Sequence, residues 1–125
     1  MGVLTAPVVP THSIRGARFT SLATPTRGST DTSVWMVEID PGAPVNPHVL
    51  TRQEVFVVLA GTATVRIDGQ QQIAAIGDAI VVPAGATFEL SAVGSEPIRA
   101  LCCLPVGGRA RLLAGGDEFT PPWAL

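Results

Sequence analysis

Turn-forming residues cut this chain into pieces too short for helices. In its middle half the breaks fall at Pro41-Gly42, Pro47, Gly61, Asp68-Gly69, Gly77-Asp78, Pro83-Ala84-Gly85 and Gly94 to Pro97. A helix in a globular protein needs roughly 10–12 uninterrupted residues, a strand only about 4–8. The pieces left between the breaks meet only the second condition, and they alternate. In Ser33–Asp40, Trp35, Val37 and Ile39 share one face and Val34, Met36 and Glu38 the other, the period-2 pattern of a strand. Phe88, Leu90 and Ala92 line one face of Thr87–Val93. Asp68-Gly69 is a hairpin turn. Further strands are expected at Arg15–Leu22, Val45–Leu50, Glu54–Ala60, Thr62–Ile67, Gln70–Ala75, Ala79–Val82 and Ile98–Val106. About nine or ten short strands without a helix make an all-β sandwich or barrel. Glu54–Ala60 is apolar on both faces, which implies that both are covered.

A length of 125 residues sets one domain, 1–125. Residues 1–14 read as an N-terminal arm, 15–106 as the barrel, and 107–125 as a tail whose Phe119 and Trp123 pin it to the body. With 46% hydrophobic and 14% charged residues the chain is globular, not disordered. Its eight cations are all arginines, and the net charge is −2. No basic, aromatic-studded patch exists, so nucleic acid is excluded as a partner. No apolar run is long enough to span a membrane, and the start lacks the charged, then apolar, pattern of a signal peptide. The only cysteines, Cys102 and Cys103, are adjacent. Neighbours on a strand point to opposite faces, so they are expected as free thiols of a cytoplasmic protein.

Two residues in the stretch Gly42–Gly61 carry metal or acid–base chemistry: His48 and Glu54. Gly42, five residues, His48, one residue, Leu50, three residues, Glu54, six residues and Gly61 reproduce the spacing G-x5-H-x-H-x(3,4)-E-x6-G. Gly77, five residues, Pro83-Ala84-Gly85, two residues and Phe88 follow G-x5-P-x-G-x2-H-x3-N. In both motifs the chain resembles the small single-domain cupins over about residues 33–106. The resemblance implies a double-stranded β-helix, or jelly-roll barrel, and a homodimer.

The resemblance also implies four metal-ligand positions: His48, Leu50, Glu54 and Phe88. Two of the four cannot donate a lone pair, and Ala92 stands where the second motif has Asn. Transition-metal sites need three or more matched protein donors. No cofactor is therefore expected, and Fe, Mn, Ni, Cu or Zn only if a substitute ligand exists. His12, Gln53 or one of the two cysteines is the candidate; a single bulge decides which cysteine faces inward.

What remains is a small-molecule-binding cupin with a degenerate metal site. On one reading it is a metal-independent isomerase, cyclase or lyase in which His48 and Glu54 move protons. Trp35, Leu50, Phe56 and Phe88 would enclose a largely apolar ligand, with Arg52 and Gln53 at the rim. On another the same pocket binds a ligand without reaction. A metal-dependent oxygenase using substitute ligands is the third reading. A plain alternative holds for each residue: a filled barrel, a residual polar pair, a solvated arginine.

Overall fold

The structure is a computed structural model describing residues 2–125; Met1, the first residue of the expected arm, lies outside the described residues. Among the described residues there are eleven strands: β1 (His12–Ile14), β2 (Ala17–Ala23), β3 (Thr32–Ile39), β4 (His48–Leu50), β5 (Glu54–Ala60), β6 (Ala63–Ile67), β7 (Gln70–Ala74), β8 (Ala79–Val82), β9 (Thr87–Ala92), β10 (Ile98–Pro105) and β11 (Ala110–Leu112). They form a six-stranded sheet, β1-β2-β3-β10-β5-β8, and a five-stranded one, β11-β4-β9-β6-β7. All pairings are antiparallel. The only helical pieces among the described residues are 3-10 turns at Pro25–Arg27 and Pro122–Ala124. No helix is long and apolar enough to cross a membrane.

Three elements differ from expectation, each for a local reason. Arg15–Leu22 starts two residues later, as β2 (Ala17–Ala23), because the chain reverses at Arg15-Gly16, with Gly16 at φ +76°, and β1, from the expected arm, folds back on it. Val45–Leu50 shortens to His48–Leu50, since Pro44 and Pro47 have no N–H for a ladder. The tail contributes β11, which pairs with β4 and sets Ala110 opposite Leu50.

The core lies between the two inner faces. Across the six-stranded sheet, register aligns Trp35, Cys102, Phe56 and Ile80 in one row, all buried. Across the five-stranded sheet it aligns His48, Phe88 and Ile67. Strand β10 alternates without a break against β3 from Ile98 to Pro105, and the register shift against β5 is taken up on β5 at Leu59. Cys102 is therefore buried in the core and Cys103 lies on the outer face, half-buried; both are free thiols.

The tail closes one side of the sandwich. Trp123 stacks on Phe19 with ring centroids 3.6 Å apart and planes 4° from parallel. The Ser21 hydroxyl donates to the Trp123 carbonyl at 2.7 Å, and the buried Ser33 hydroxyl to the Ala124 carbonyl at 2.6 Å. Arg27 donates to the carbonyls of Ser21, Leu22 and Thr5, tying the N-terminal arm to β2.

Gly61, which ends β5, has φ +76°, and a Cβ there would overlap the Pro97 carbonyl oxygen. A left-handed backbone and a backbone clash act together at this turn. Gly61→Ala is expected to lower stability by about 2–4 kcal/mol, read as a shifted denaturant midpoint with an unchanged slope. A shift within a few tenths of a kcal/mol would show that the β5–β6 turn relaxes freely.

Candidate functional site

His48 opens β4 directly opposite Phe88 on β9. Opposed residues of an antiparallel pair point to the same side, so His48 faces inward with the buried Phe88. Its ring meets Phe88 edge-on, centroids 5.4 Å apart at 82°. Its Nδ1 lies 2.9 Å from the Asn46 carbonyl oxygen. A carbonyl only accepts, so Nδ1 carries the proton, and the lone pair of the neutral ring sits on Nε2. The Pro44–Pro47 segment thus sets both the tautomer and the tilt of the ring.

Glu54 opens β5 and is 4% exposed. Burial alone pushes its carboxyl up to about 8, because removing water disfavours the charged form. No hydrogen bond or ion pair joins Glu54 to His48, whose ring nitrogen Nδ1 faces the Asn46 carbonyl instead. Among the described residues the ion pairs are those of Arg18 with Glu38 and Asp40 on the outer surface. Among the described residues no buried side-chain nitrogen or oxygen is both sealed from solvent and without a partner. Glu54, which makes no hydrogen bond, therefore keeps a narrow opening to its carboxyl oxygens. It is an acid held mostly neutral at pH 7.

The expected apolar residues are buried as well. Leu50 is 2% exposed and Phe88 1%. Phe56 packs on Phe88 at 5.2 Å between centroids, and Trp35 lies two strands from Phe56 in the same row. Arg52 and Gln53 sit on the exposed turn before Glu54, away from the buried cluster. Burial and the Glu54 charge push the Cys102 thiol up, so it is unreactive. Two surface clefts, of about 580 and 350 Å³, share Ile67, Gln72 and Val81. They lie along the seam where the free edges of β7 and β8 face each other, and none of the expected pocket residues lines them. The pairing that opens this seam is not written in local sequence; only the unpaired edge of Gln70–Ala74, exposed for most of its length, hints at it.

His48 and Glu54 supply two donors, while Leu50 and Phe88 present carbon where the motif has ligands. Among the described residues no three His, Cys, Asp or Glu side chains gather in a metal-binding group. His12 stands on β1 with its ring 6.4 Å from that of Trp123, Gln53 faces solvent, and Cys102 lies between Trp35 and Phe56. This donor set does not fit a resident transition metal.

Spacing, strand order and inward-facing motif positions agree with a match to the family model described as Cupin domain, over residues 35–104. The chain belongs to the cupins. Solved cupin-fold structures resemble it along much of its length. The ethanolamine utilization protein Q of Salmonella typhimurium LT2 is 29% identical, over 70% of this chain and 67% of that one, with a TM-score of 0.59. The polyketide cyclase RemF of Streptomyces resistomycificus is 18% identical over 91% and 82%, TM-score 0.73. Tomato vicilin is 24% identical over 87% of this cupin and 33% of its own chain, TM-score 0.71. No curated protein matches the sequence. A cyclase and a vicilin on one fold show how little the fold fixes the chemistry.

Proposed function

We propose that this cupin binds a small, largely apolar molecule and moves protons on it without a metal, as an isomerase, cyclase or lyase does. One observation carries the reading: Glu54 is a buried carboxyl without a hydrogen-bond partner among the described residues, which burial pushes up to about 8. Glu54 supplies the proton. His48, whose Nε2 lone pair is freed by the Nδ1–Asn46 hydrogen bond, accepts one. A neutral acid with a pKa near the working pH is suited to giving and regaining a proton in one cycle. Leu50, Phe56, Phe88 and Trp35 exclude water, which keeps the acid protonated and shields a reactive intermediate.

A second reading, binding without reaction, is favoured by the close packing of Phe56 on Phe88 and by the position of the seam clefts. Native mass spectrometry of the purified protein, followed by incubation in D₂O with chelator, separates the two. The catalytic reading expects a retained organic molecule that gains deuterium at carbon, and Glu54→Gln to keep the molecule but slow exchange at least about 100-fold. Retention without exchange supports binding alone. Exchange abolished by chelator and restored by a metal overturns the metal-independent reading.

A further inference from the structure

Strand β7 ends one sheet and β8 the other, on either side of the turn 75–78, with the two clefts between them. The register of β7 says which of its backbone groups are free. Asp68 and Gly69 both have positive φ, the two-residue turn that closes a hairpin on a hydrogen-bonded pair, here Ile67 with Gln70. Hydrogen-bonded and non-hydrogen-bonded pairs alternate along an antiparallel ladder. Gln72 and Ala74 therefore bond β6 as well, and the N–H and C=O of Gln71 and Ile73 point away from it, into the seam. The next amide along that edge, of Ala75, is already taken: it donates to the Asp78 carboxylate at 2.8 Å. Those of Gln71 and Ile73 have no partner among the described residues. Edge strands are ordinarily blunted by a charge, a proline or a bulge. Strand β7 reads Gln-Gln-Gln-Ile-Ala and pairs with β6 without a shift, so it carries none of these.

We propose that the seam binds an extended segment of another protein, which adds a strand antiparallel to β7: alternating apolar residues with Arg or Lys at the ends. The unpaired groups decide for a polypeptide. They are main-chain donors and acceptors repeating every second residue, roughly 6.8 Å apart, which is the repeat of another strand. The walls supply the rest. Ile67 lines both clefts, Val65 and Ile80 the smaller one, and Val81 both from the β8 side, so an extended chain meets hydrocarbon along its length. The charges on the walls are carboxylates, Asp68 in one cleft and Asp78 in the other, and no cation lines either. Apolar residues therefore suit the middle of the segment and cations its ends. In this mode main-chain hydrogen bonds give affinity and side chains give selectivity. Strand β7 has only 5 residues, so the interface is small and the affinity is that of a transient contact, about 100 μM. Nothing in this reading depends on the chemistry of Glu54.

The test titrates the full chain with the peptide acetyl-Arg-Val-Thr-Val-Thr-Val-Arg-amide, to about 1 mM, and follows each backbone amide by NMR and hydrogen exchange. The amides of Gln71 and Ile73 exchange fast in the free protein and are expected to slow at least about tenfold with peptide bound. N-methylation of one alternate set of peptide residues removes the donors that face β7 and abolishes binding; methylation of the other set spares it. Ile73→Pro deletes one seam donor and no bond to β6, as an edge position tolerates, and weakens binding about tenfold. Asp68→Asn with Asp78→Asn keeps both side-chain acceptors, and it weakens binding and flattens its salt dependence. No binding at about 1 mM, equal binding by both methylated peptides, or slowed exchange at amides away from β7 overturns the proposal. So does slow exchange of Gln71 and Ile73 without peptide, which would mean that a second copy already fills the seam.

Discussion

Glu54→Gln is expected to abolish a loss of stability that the parent shows as pH rises from about 4.5 to about 8. The folded chain holds the Glu54 proton up to about 8, whereas the unfolded chain gives it up near 4.5. Between those values the folded state binds more protons, so raising the pH favours unfolding. Stability is full below the unfolded value, falls through the window, and levels off above the folded one. At about 1.4 kcal/mol per unit the full fall is on the order of 3–5 kcal/mol. Glutamine keeps the shape and the neutral charge of the protonated acid and cannot ionise. Asp40 acts in the opposite sense at the acid end, because its hydrogen bond from Arg18 holds its carboxyl down; that contribution disappears as pH falls and lies outside the Glu54 window. Denaturant midpoints at pH 5, 7 and 9 measure the effect: a steep decline for the parent and a nearly flat line for Glu54→Gln. Equal slopes for the two would mean that the carboxylate is charged and solvated in the native state, and the proton-donor reading would fall with it.

What the residues revealed in advance, and what they hid, divides by range. Short-range signals were legible. Asp68-Gly69 closes the β6–β7 hairpin with both residues at positive φ, and the alternation of Thr32–Ile39 puts Trp35 and Val37 inside. The inward position of Leu50 and Phe88 followed from motif spacing. The strand expected at Arg15–Leu22 is there as β2, but β1, only three residues long, carries too short a pattern to be told from the arm. Long-range facts were hidden. Which cysteine faces the core depends on whether a bulge interrupts β10; its unbroken pairing with β3 from Ile98 to Pro105 puts Cys102 inside, and that pairing cannot be read along β10 itself. Strand β11 has only three residues, too few for a period, and exists because β4 offers it an edge. The charge state of Glu54 likewise depends on burial by residues from other strands. Sequence placed a carboxyl beside a histidine; the fold gives His48 the Asn46 carbonyl as partner and leaves the buried acid without a hydrogen bond among the described residues.

Restoring the two missing donors is the most demanding test of that arrangement. Leu50→His with Phe88→His rebuilds the spacing of both motifs around His48 and Glu54, giving three imidazoles and a carboxylate on inward-facing positions. Without metal the double variant is expected to lose about 4–6 kcal/mol, because two side chains 2% and 1% exposed are replaced by smaller polar rings with unsatisfied nitrogens. A divalent transition metal then binds the folded chain and not the unfolded one, which returns about 4 kcal/mol at a free concentration a thousand times the Kd. Binding also requires the Glu54 carboxylate, so the metal displaces its proton and metal affinity rises with pH. The expected result is one Zn, Ni or Mn per chain of the double variant, a melting temperature that climbs with added metal, and neither change in the parent. The single variants supply three donors each and fall between. If the double variant folds but binds no metal, the inner faces of β4, β5 and β9 do not bring positions 48, 50, 54 and 88 to a common point. The apolar pair would then be filling a barrel whose geometry had already ceased to be a metal site.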